Sequence, residues 1–548
     1  MSVSSETGAG QQYNLGYVWG ISMAAAMGGL MFGYDWVVIS GAEPFYKRFF
    51  MLTSATEEGW AMGSALIGCL LGAVLSGGLS DRFGRKRLLI LSALVFVVSS
   101  IGTGLAGTFV SFNAWRLAGG VAIGLASNLS PMYIAEVAPA AVRGRLVAMN
   151  QFTIVIGILL AQAVNYGIAL HGTNVDRDAV AVRARRDGAA LDAGRVAEEL
   201  AWQVPNQERA KVVEEFKALA AQEPRPLDFP AVAALVDRLN ADRDTKLKAD
   251  QVPIEVAGRG LTSWNVVPGW RWMFGVTALP ACFFFALMFL VPESPRWLVK
   301  NGQSAGGRAV LARIGGEDYA GRELESIEAT LVGEIHEVHF RDLWEPRMLA
   351  ILVIGVTLAV LQQWCGINVI FYYAASLFRA AGYNVADALL NIVIIGAVNL
   401  AFTVLAVWSV DRVGRRVLML LGFAGLAVIH VLIGACFHSG QGGLFMLVLT
   451  LAAIGCYALT LAPVTWVVLS EIFPNRIRGA AMSVSVFSLW TACFILTFSF
   501  PFLRERFGTA YSFWAYAAIC VVGFFYTWRR LPETKGKTLE QIERELVD

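Results

Sequence analysis

Apolar residues occur along this chain in long, nearly uninterrupted runs separated by short polar stretches. A helix needs roughly 20 predominantly apolar residues to cross a bilayer. Twelve runs reach this length and predict membrane-spanning helices, numbered spans 1 to 12, at 17–40, 57–79, 88–108, 112–133, 146–170, 268–291, 346–378, 388–409, 417–437, 443–469, 480–502 and 511–528. The pattern predicts an all-α membrane protein with twelve transmembrane helices.

Basic residues are concentrated in alternate loops, after spans 2, 4, 8 and 10. They are Arg82, Arg85, Lys86, Arg87, Arg143, Arg145, Arg412, Arg415, Arg416, Arg476 and Arg478. Loops rich in Lys and Arg stay on the cytoplasmic side of a membrane. We therefore expect a multi-pass protein of the cell membrane with both termini cytoplasmic, in the inner membrane if the source is a Gram-negative bacterium.

The chain contains an internal repeat. Asp-Arg-Phe-Gly-Arg-Lys at 81–86 recurs as Asp-Arg-Val-Gly-Arg-Arg at 411–416, and the Pro-Glu-Ser at 292–294 has a counterpart in Pro-Glu-Thr at 532–534. Repeats of this kind indicate two six-helix halves in the same orientation. The recurring charges predict a gate that pairs neighbouring helix ends at the cytoplasmic face when the cavity opens outward and breaks on switching: Asp81, Arg85, Glu136, Arg143, Glu293, Arg296, Asp411, Arg415, Glu471 and Arg478. The alternative is that these charges only anchor the topology.

The first half is longer than the second by about 95 residues, all between spans 5 and 6. Residues 171–266 carry 14 Lys and Arg and 16 Asp and Glu, far denser than the rest, and stretches such as 195–221 have the pattern of short amphipathic helices. They predict an extracytoplasmic soluble insertion, whose role and partner are left open. The predicted organisation is a tail (1–16), spans 1–5 (17–170), the insertion, span 6 (267–292), cytoplasmic linker helices (293–344), spans 7–12 (345–530) and a tail (531–548).

Composition narrows the function. Hydrophobic residues make up 56 % and charged residues 16 % of the chain, against about 25 % charged in ordinary soluble domains. A formal charge of +2 without a basic tract excludes nucleic acid as a partner. All seven cysteines lie in apolar stretches without close pairing, which disfavours both a disulfide framework and a metal site.

Span 7 carries three amides at mid-membrane depth: Gln362, Gln363 and Asn368. An amide is both donor and acceptor, so it matches sugar hydroxyls without the desolvation cost of a charge. Along a regular helix Gln362 and Asn368 would be roughly 8–9 Å apart. Polar side chains at this depth should face an interior cavity. The alternative is hydrogen bonding between helices.

Asp35 of span 1 and Arg116 of span 4 are charges inside predicted spans, both in the outer half of the membrane. A charge at this depth is costly unless paired, and an intramembrane carboxylate predicts a proton relay. The alternative is a permanent ion pair.

These motifs together resemble the sugar porter family of the major facilitator superfamily, and the chain is similar to bacterial sugar–proton symporters and animal facilitative glucose transporters. The elements that match are Gly-Gly-Leu-Met-Phe-Gly-Tyr-Asp at 28–35, the motif at 81–86, Pro-Met-Tyr-Ile-Ala-Glu at 131–136, Pro-Glu-Ser-Pro-Arg-Trp at 292–297, the amides and Gly-Ile-Asn at 362–368, the segment at 470–479 and Pro-Glu-Thr-Lys-Gly at 532–536. The match covers essentially everything except 171–266. It implies two six-helix bundles around a central cavity and alternating access.

The resemblance also extends the predicted pocket. It adds residues of spans 1, 5, 7, 8, 10 and 11 to the three amides: Phe32, Gln151, Tyr372, Asn399, Trp466 and Trp490. The Trp466 ring suits an apolar sugar face. Span 11 departs from the family pattern because Leu489 stands where a Gln or Asn is common. In related symporters the residues matching Asp35 and Arg116 form a switchable pair.

The resulting prediction is a transporter of a monosaccharide, a hexose or pentose, with the proton as coupling ion and no other cofactor. Its partners would be sugar and membrane lipid. The alternatives are a facilitative uniporter of the same fold and a membrane sugar sensor that uses the insertion. A membrane enzyme is disfavoured, since no nucleophile, metal cluster or acid–base set converges.

Overall fold

The structure is a computed structural model. It describes residues 13–187, 191–201, 204, 208–225, 227–241, 247, 249, 252, 263–333, 343–473 and 478–535, without the side chains of 184–187, 330–333, 407, 411, 470, 478 and 479. Twelve helices in these ranges are long and apolar enough to cross a membrane. The predicted all-α fold with twelve spans is confirmed.

Nine spans are single helices: Leu15–Phe49, Ala55–Phe83, Arg85–Leu105, Phe109–Val137, Ala140–Asp187, Val385–Val413, Arg415–Ser439, Arg478–Phe507 and Thr509–Arg530, which are spans 1–5, 8, 9, 11 and 12. Spans 6, 7 and 10 are interrupted and consist of Asn265–Gly269, Trp270–Gly275 and Ala278–Leu290; Pro346–Trp364, Ile367–Tyr372 and Ala374–Ala380; and Leu444–Leu459 and Leu461–Ile472. The linker helices are Pro295–Lys300, Ser304–Gly315 and Glu317–Gly333.

The repeated loops make the same turn in each half. Gly84 separates spans 2 and 3 with φ +94°, and Gly414 separates spans 8 and 9 with φ +105°. Glu293 accepts hydrogen bonds from the backbone N–H groups of Arg85 and Lys86 at 3.0 and 3.1 Å. These groups begin span 3 and have no partner within their own helix. The carboxylate therefore caps the helix and complements its dipole.

The second half repeats this cap, because Glu533 accepts from the backbone N–H groups of Arg415 and Arg416 at 2.9 and 3.1 Å. We call the end of the bundles that carries these two turns the charged face. The opposite end is the cap face.

Span 5 is much longer than its predicted range of 146–170. The helix continues to Asp187, so the predicted start of the insertion at 171 lies inside it. The apolar run ends where charged residues begin, whereas the helix continues through the Ala and Arg residues that follow, because both are good helix formers. Asp176 on this extension accepts hydrogen bonds from the Ser263 hydroxyl (2.7 Å) and the Trp264 N–H (2.6 Å), which fixes the chain as it returns to span 6.

Three short helices of the insertion, the cap helices, are Ala193–Ala201, Arg209–Ala221 and Phe229–Asn240. Their buried residues, among them Leu200, Phe216 and Leu235, form a hydrophobic cluster separate from the core of the spans. Val180 of the extended span 5 belongs to this cluster. The insertion therefore has its own small core, joined to the bundle through span 5.

A substitution at Gly84 tests whether the repeated turns stabilise the fold. A Cβ at residue 84 would lie 2.3 Å from the Glu293 carboxylate, and an L side chain is strained at this φ. Gly84→Ala should lower the free energy of unfolding by about 1–3 kcal/mol. The measurement is the thermal unfolding midpoint of the purified protein.

Gly78→Ala is the matched control, because no atom lies within 4 Å of a Cβ built at that helical position. Alanine favours a helix more than glycine does, so this variant should be as stable as the parent or more so. Equal midpoints for the two variants would contradict the proposed role of the turn.

Candidate substrate and coupling site

Span 7 is interrupted beside its three amides. The helix ends at Trp364, and Gly366 has φ +88° before the helix resumes at Ile367. Only glycine adopts this conformation readily, and a Cβ at 366 would lie 2.7 Å from the Tyr516 ring. The regular helix assumed for the spacing of Gln362 and Asn368 is therefore wrong.

The break brings the amides into direct contact. Asn368 Nδ2 donates to Gln363 Oε1 at 2.5 Å, and Gln363 Nε2 donates to Gln362 Oε1 at 2.6 Å. Gln362 Nε2 donates in turn to the Tyr457 hydroxyl of span 10 at 2.8 Å. All three amides are buried. They form one amide chain, in which each member still has donor or acceptor capacity to offer.

Aromatic rings of span 1 contact aromatic rings of the second half. Phe32 contacts Trp490 with ring centroids 5.8 Å apart, and Trp36 contacts Tyr372 at 5.5 Å. The structure therefore brings together the predicted Phe32, Tyr372 and Trp490. Leu489, beside Trp490, is buried and apolar.

The remaining predicted pocket residues do not join the amide chain. Gln151 is half-buried and Asn399 is buried, and neither amide has a polar partner among the residues that the structure describes. Trp466 is 38 % exposed. Trp36 and Tyr457 are not among the site residues predicted from the sequence. The sequence feature that could have indicated Trp36 is its position next to Asp35.

Asp35 and Arg116 form a buried ion pair between spans 1 and 4. Arg116 Nη1 lies 3.2 Å from both carboxylate oxygens of Asp35. The two residues are 6 % and 2 % exposed, and the Phe274 ring of span 6 lies 5.4 Å from the guanidinium carbon. Such a pair is stable only while both charges are present, because removal of one leaves the other buried and uncompensated.

The charged face of the first half holds a compact ion cluster. Arg85 contacts Glu136 at 3.1 Å and Asp81 at 3.0 Å. Lys300 of the linker also contacts Asp81, at 3.1 Å. In the second half, Arg415 contacts Glu471 at 3.2 Å, and the Thr534 hydroxyl donates to Glu471.

Other predicted gate charges behave differently. Arg143 is exposed and donates to the Ala138 carbonyl at 3.2 Å, whereas Glu136, seven residues before it, pairs with Arg85. Arg296 is half-buried. The side chains of Asp411 and Arg478 lie outside the described residues.

At the cap face the two halves are joined. Arg504 of span 11 contacts both carboxylate oxygens of Glu58 on span 2, at 3.0 and 2.9 Å, and Lys47 contacts Glu58 at 2.8 Å. Ser376 of span 7 donates to Glu43 of span 1. The bundle is therefore closed at this face.

Two of the predicted gate pairs are formed in this structure. The Arg85–Glu136 and Arg415–Glu471 pairs each lie within one half, and both are present while the cap face is closed. Their opening and closing as a gate stays a prediction.

A cavity of about 680 Å³ lies between the closed cap face and the first cap helix. Charges of both signs line it, including Lys47 and Arg379 from the spans and Arg195 and Glu198 from the cap helix. The insertion thus covers the cap-face ends of spans 1 and 7.

Residues 21–180 and 256–546 match the sequence profile of the family described as "Sugar (and other) transporter". The chain belongs to this family. The unmatched stretch, 181–255, lies within the predicted insertion. The recognition of a sugar porter is confirmed, and the chain is a twelve-span membrane transporter.

Individual members of the family match over nearly the whole chain. A D-xylose-proton symporter of Escherichia coli is 33 % identical, covering 97 % of this chain and 96 % of that protein. An arabinose-proton symporter of Bacillus subtilis is 32 % identical with the same coverage. A partially occluded, inward-open structure of the E. coli xylose transporter has a TM-score of 0.71 at 31 % identity, covering 95 % of this chain and 100 % of that one.

The cap-face contact predicts a shift between conformations of the transporter. Arg504→Gln removes the ion pair with Glu58 that joins the two halves. Because Arg504 is partly exposed, we expect a loss of about 1 kcal/mol from the closed state, roughly a fivefold change in population ratio. Distances between spin labels at the cap-face ends of spans 2 and 11 report it.

Lys300→Gln is the control, since it removes an ion pair on the charged face and leaves the cap face intact. The fraction of molecules with a long distance between the two spin labels should rise for Arg504→Gln and not for Lys300→Gln. An unchanged distribution in both variants would refute a closing role for Glu58 and Arg504.

Proposed function

We propose that this transporter imports a monosaccharide together with a proton by alternating access. The proposal is supported by the similarity to a D-xylose-proton symporter and an arabinose-proton symporter. The charged face would be cytoplasmic, because its loops carry the Lys and Arg excess. Both termini would then be cytoplasmic, and the insertion would lie outside, in the cell membrane or a Gram-negative inner membrane.

The observation that carries the proposal is the buried Asp35–Arg116 pair. Protonation of Asp35 removes its charge and leaves Arg116 without a counter-ion in an apolar site, which destabilises the packing of spans 1 and 4. Asp35 lies directly before Trp36, whose ring contacts Tyr372 of the second half. Proton binding and the contact between the halves are therefore adjacent on span 1.

Sugar would bind at the amide chain. In this structure Gln362, Gln363 and Asn368 use each other as partners, so no buried amide among them is left without a hydrogen bond. A hydroxyl, itself donor and acceptor, can replace a neighbouring amide without loss of hydrogen bonds. Gln151, Asn399 and the Trp466 ring would contribute from spans 5, 8 and 10, and Phe32, Tyr372 and Trp490 would close the site.

The charged-face clusters would act as fixed joints in this cycle. Each cluster ties helix ends within one half, through Glu136 and Glu293 in the first and Glu471 and Glu533 in the second. Rocking of two halves requires each to move as a rigid unit. We assign the gate at the same face to the other predicted charges, Arg143, Arg296, Asp411 and Arg478.

Proton coupling is tested by Asp35→Asn. With a pH difference of about one unit, one-to-one symport supports about tenfold accumulation of sugar. The variant should lose accumulation but retain exchange of labelled for unlabelled D-xylose, because its site is intact while Arg116 no longer faces a titratable partner. Uptake into proteoliposomes with and without a pH gradient measures both.

Glu317→Gln is the control, a carboxylate of the linker paired with Arg308 at the surface, and it should accumulate like the parent. Accumulation that survives Asp35→Asn would refute coupling at Asp35. A parent that equilibrates sugar without accumulating it would be a uniporter.

The sugar site is tested by Gln363→Ala, the middle member of the amide chain. Loss of its hydrogen bonds should raise the half-saturating sugar concentration about tenfold with little change in maximal rate. Initial rates with D-xylose, arabinose and glucose would show it. Gln303→Ala on the exposed linker is the matched control, and equal kinetics for the two variants would contradict the assignment.

A further inference from the structure

The break in span 7 frees backbone groups in the middle of the bundle. Without a continuous helix after Trp364, the Cys365 carbonyl has no partner in its own helix. A polar group in this position is costly unless another element supplies a hydrogen bond. Breaks in transmembrane helices therefore depend on side chains from neighbouring helices.

His430 of span 9 supplies this bond. Its Nε2 lies 2.8 Å from the Cys365 carbonyl oxygen, and both residues are 0 % exposed. Cys520 Sγ of span 12 also approaches the same oxygen, at 3.6 Å. The imidazole is therefore the short, direct partner of the freed carbonyl.

The geometry settles which nitrogen of His430 carries the proton. A carbonyl oxygen only accepts, so Nε2 must donate. Nδ1 has no partner within the described part of the chain. Protonation of Nδ1 as well would bury a charge whose second donor has no acceptor there, so the ring is the neutral Nε2–H form.

The residues around the break connect His430 to the amide chain. Only Trp364 separates Cys365 from Gln362 and Gln363, and the Cys365 thiol donates to the Gln362 carbonyl at 2.9 Å. Asn368 is the second residue of the next helical segment, and its side-chain amide donates to Gln363 across the break. A shift of the Cys365 carbonyl would therefore displace the amide chain on both sides of the break, Gln362 and Gln363 before it and Asn368 after it.

We propose that His430 is a positioning residue of the sugar site, which acts by holding the Cys365 carbonyl and so the break in span 7. The inference rests on the proposed function of the amide chain. It assigns His430 no proton transfer. The Phe513 and Tyr516 rings of span 12 contact the imidazole, and Cys520 approaches the same Cys365 carbonyl.

Two neutral amides of different length test this inference. In Gln the terminal nitrogen reaches about as far as Nε2 of histidine, whereas in Asn it reaches only as far as Nδ1. His430→Gln should keep the bond to Cys365, and His430→Asn should lose it. D-xylose uptake into proteoliposomes over a range of concentrations and pH values separates the two variants.

His430→Gln should have a half-saturating concentration within about twofold of the parent, whereas that of His430→Asn should rise about tenfold, as for a lost buried hydrogen bond. Maximal rates and pH profiles should stay unchanged in both. If His430→Asn does not fold, His430→Met fills the site without a donor and should show the same rise.

Equal kinetics for the Gln variant and the donor-free variants would overturn the inference, since the ring would then only fill space. Loss of pH-driven accumulation in His430→Gln would also overturn it, because it would assign a proton to the ring. The Gln363→Ala variant distinguishes a failure of the proposed sugar site from a failure of the positioning role of His430. If that variant is unaffected, the proposed sugar site fails; if it is impaired while the residue 430 variants agree, only the positioning role fails.

Discussion

A polar group without a partner is costly in hydrocarbon, and this constraint determines where the transporter departs from regular helix. Most spans satisfy their backbone internally. Span 7 is interrupted at a point where side chains of other helices supply the missing contacts. His430 binds the Cys365 carbonyl, and the Tyr516 ring packs against Gly366. The interruption is also where Gln363 and Asn368 meet. The same irregularity that needs outside partners thus gathers hydrogen-bonding groups into a candidate sugar site.

The two faces of the bundle hold ion pairs of different kinds. On the charged face, Arg85 and Arg415 pair within their own halves, and Glu293 and Glu533 cap the helices that begin there. At the cap face, Arg504 pairs with Glu58 across the halves. Contacts within a half stiffen it, and contacts between halves select a conformation.

The insertion is an addition to the family fold with a core of its own. It continues span 5 beyond the membrane-length helix, and Val180 on that extension packs with residues of the cap helices. Asp176 binds the returning chain at Ser263 and Trp264. Because these bonds fix both ends of the insertion to the same helix, its position follows that of span 5. It lies over the cap-face ends of spans 1 and 7.

Sequence alone determined the twelve spans, the repeat, the family and the candidate chemistry of Asp35, Arg116 and the span 7 amides. Hydropathy and motif spacing are local properties of the sequence, so they predict the spans and the repeat without knowledge of the tertiary structure. The interruption at Gly366 and the partners Tyr457, His430 and Arg504 were decided by tertiary structure. Each depends on which side chain another helix presents at the same depth, and no spacing along one chain specifies that. Hydrophobicity selects the helices, whereas the pairing of their few polar groups selects the site.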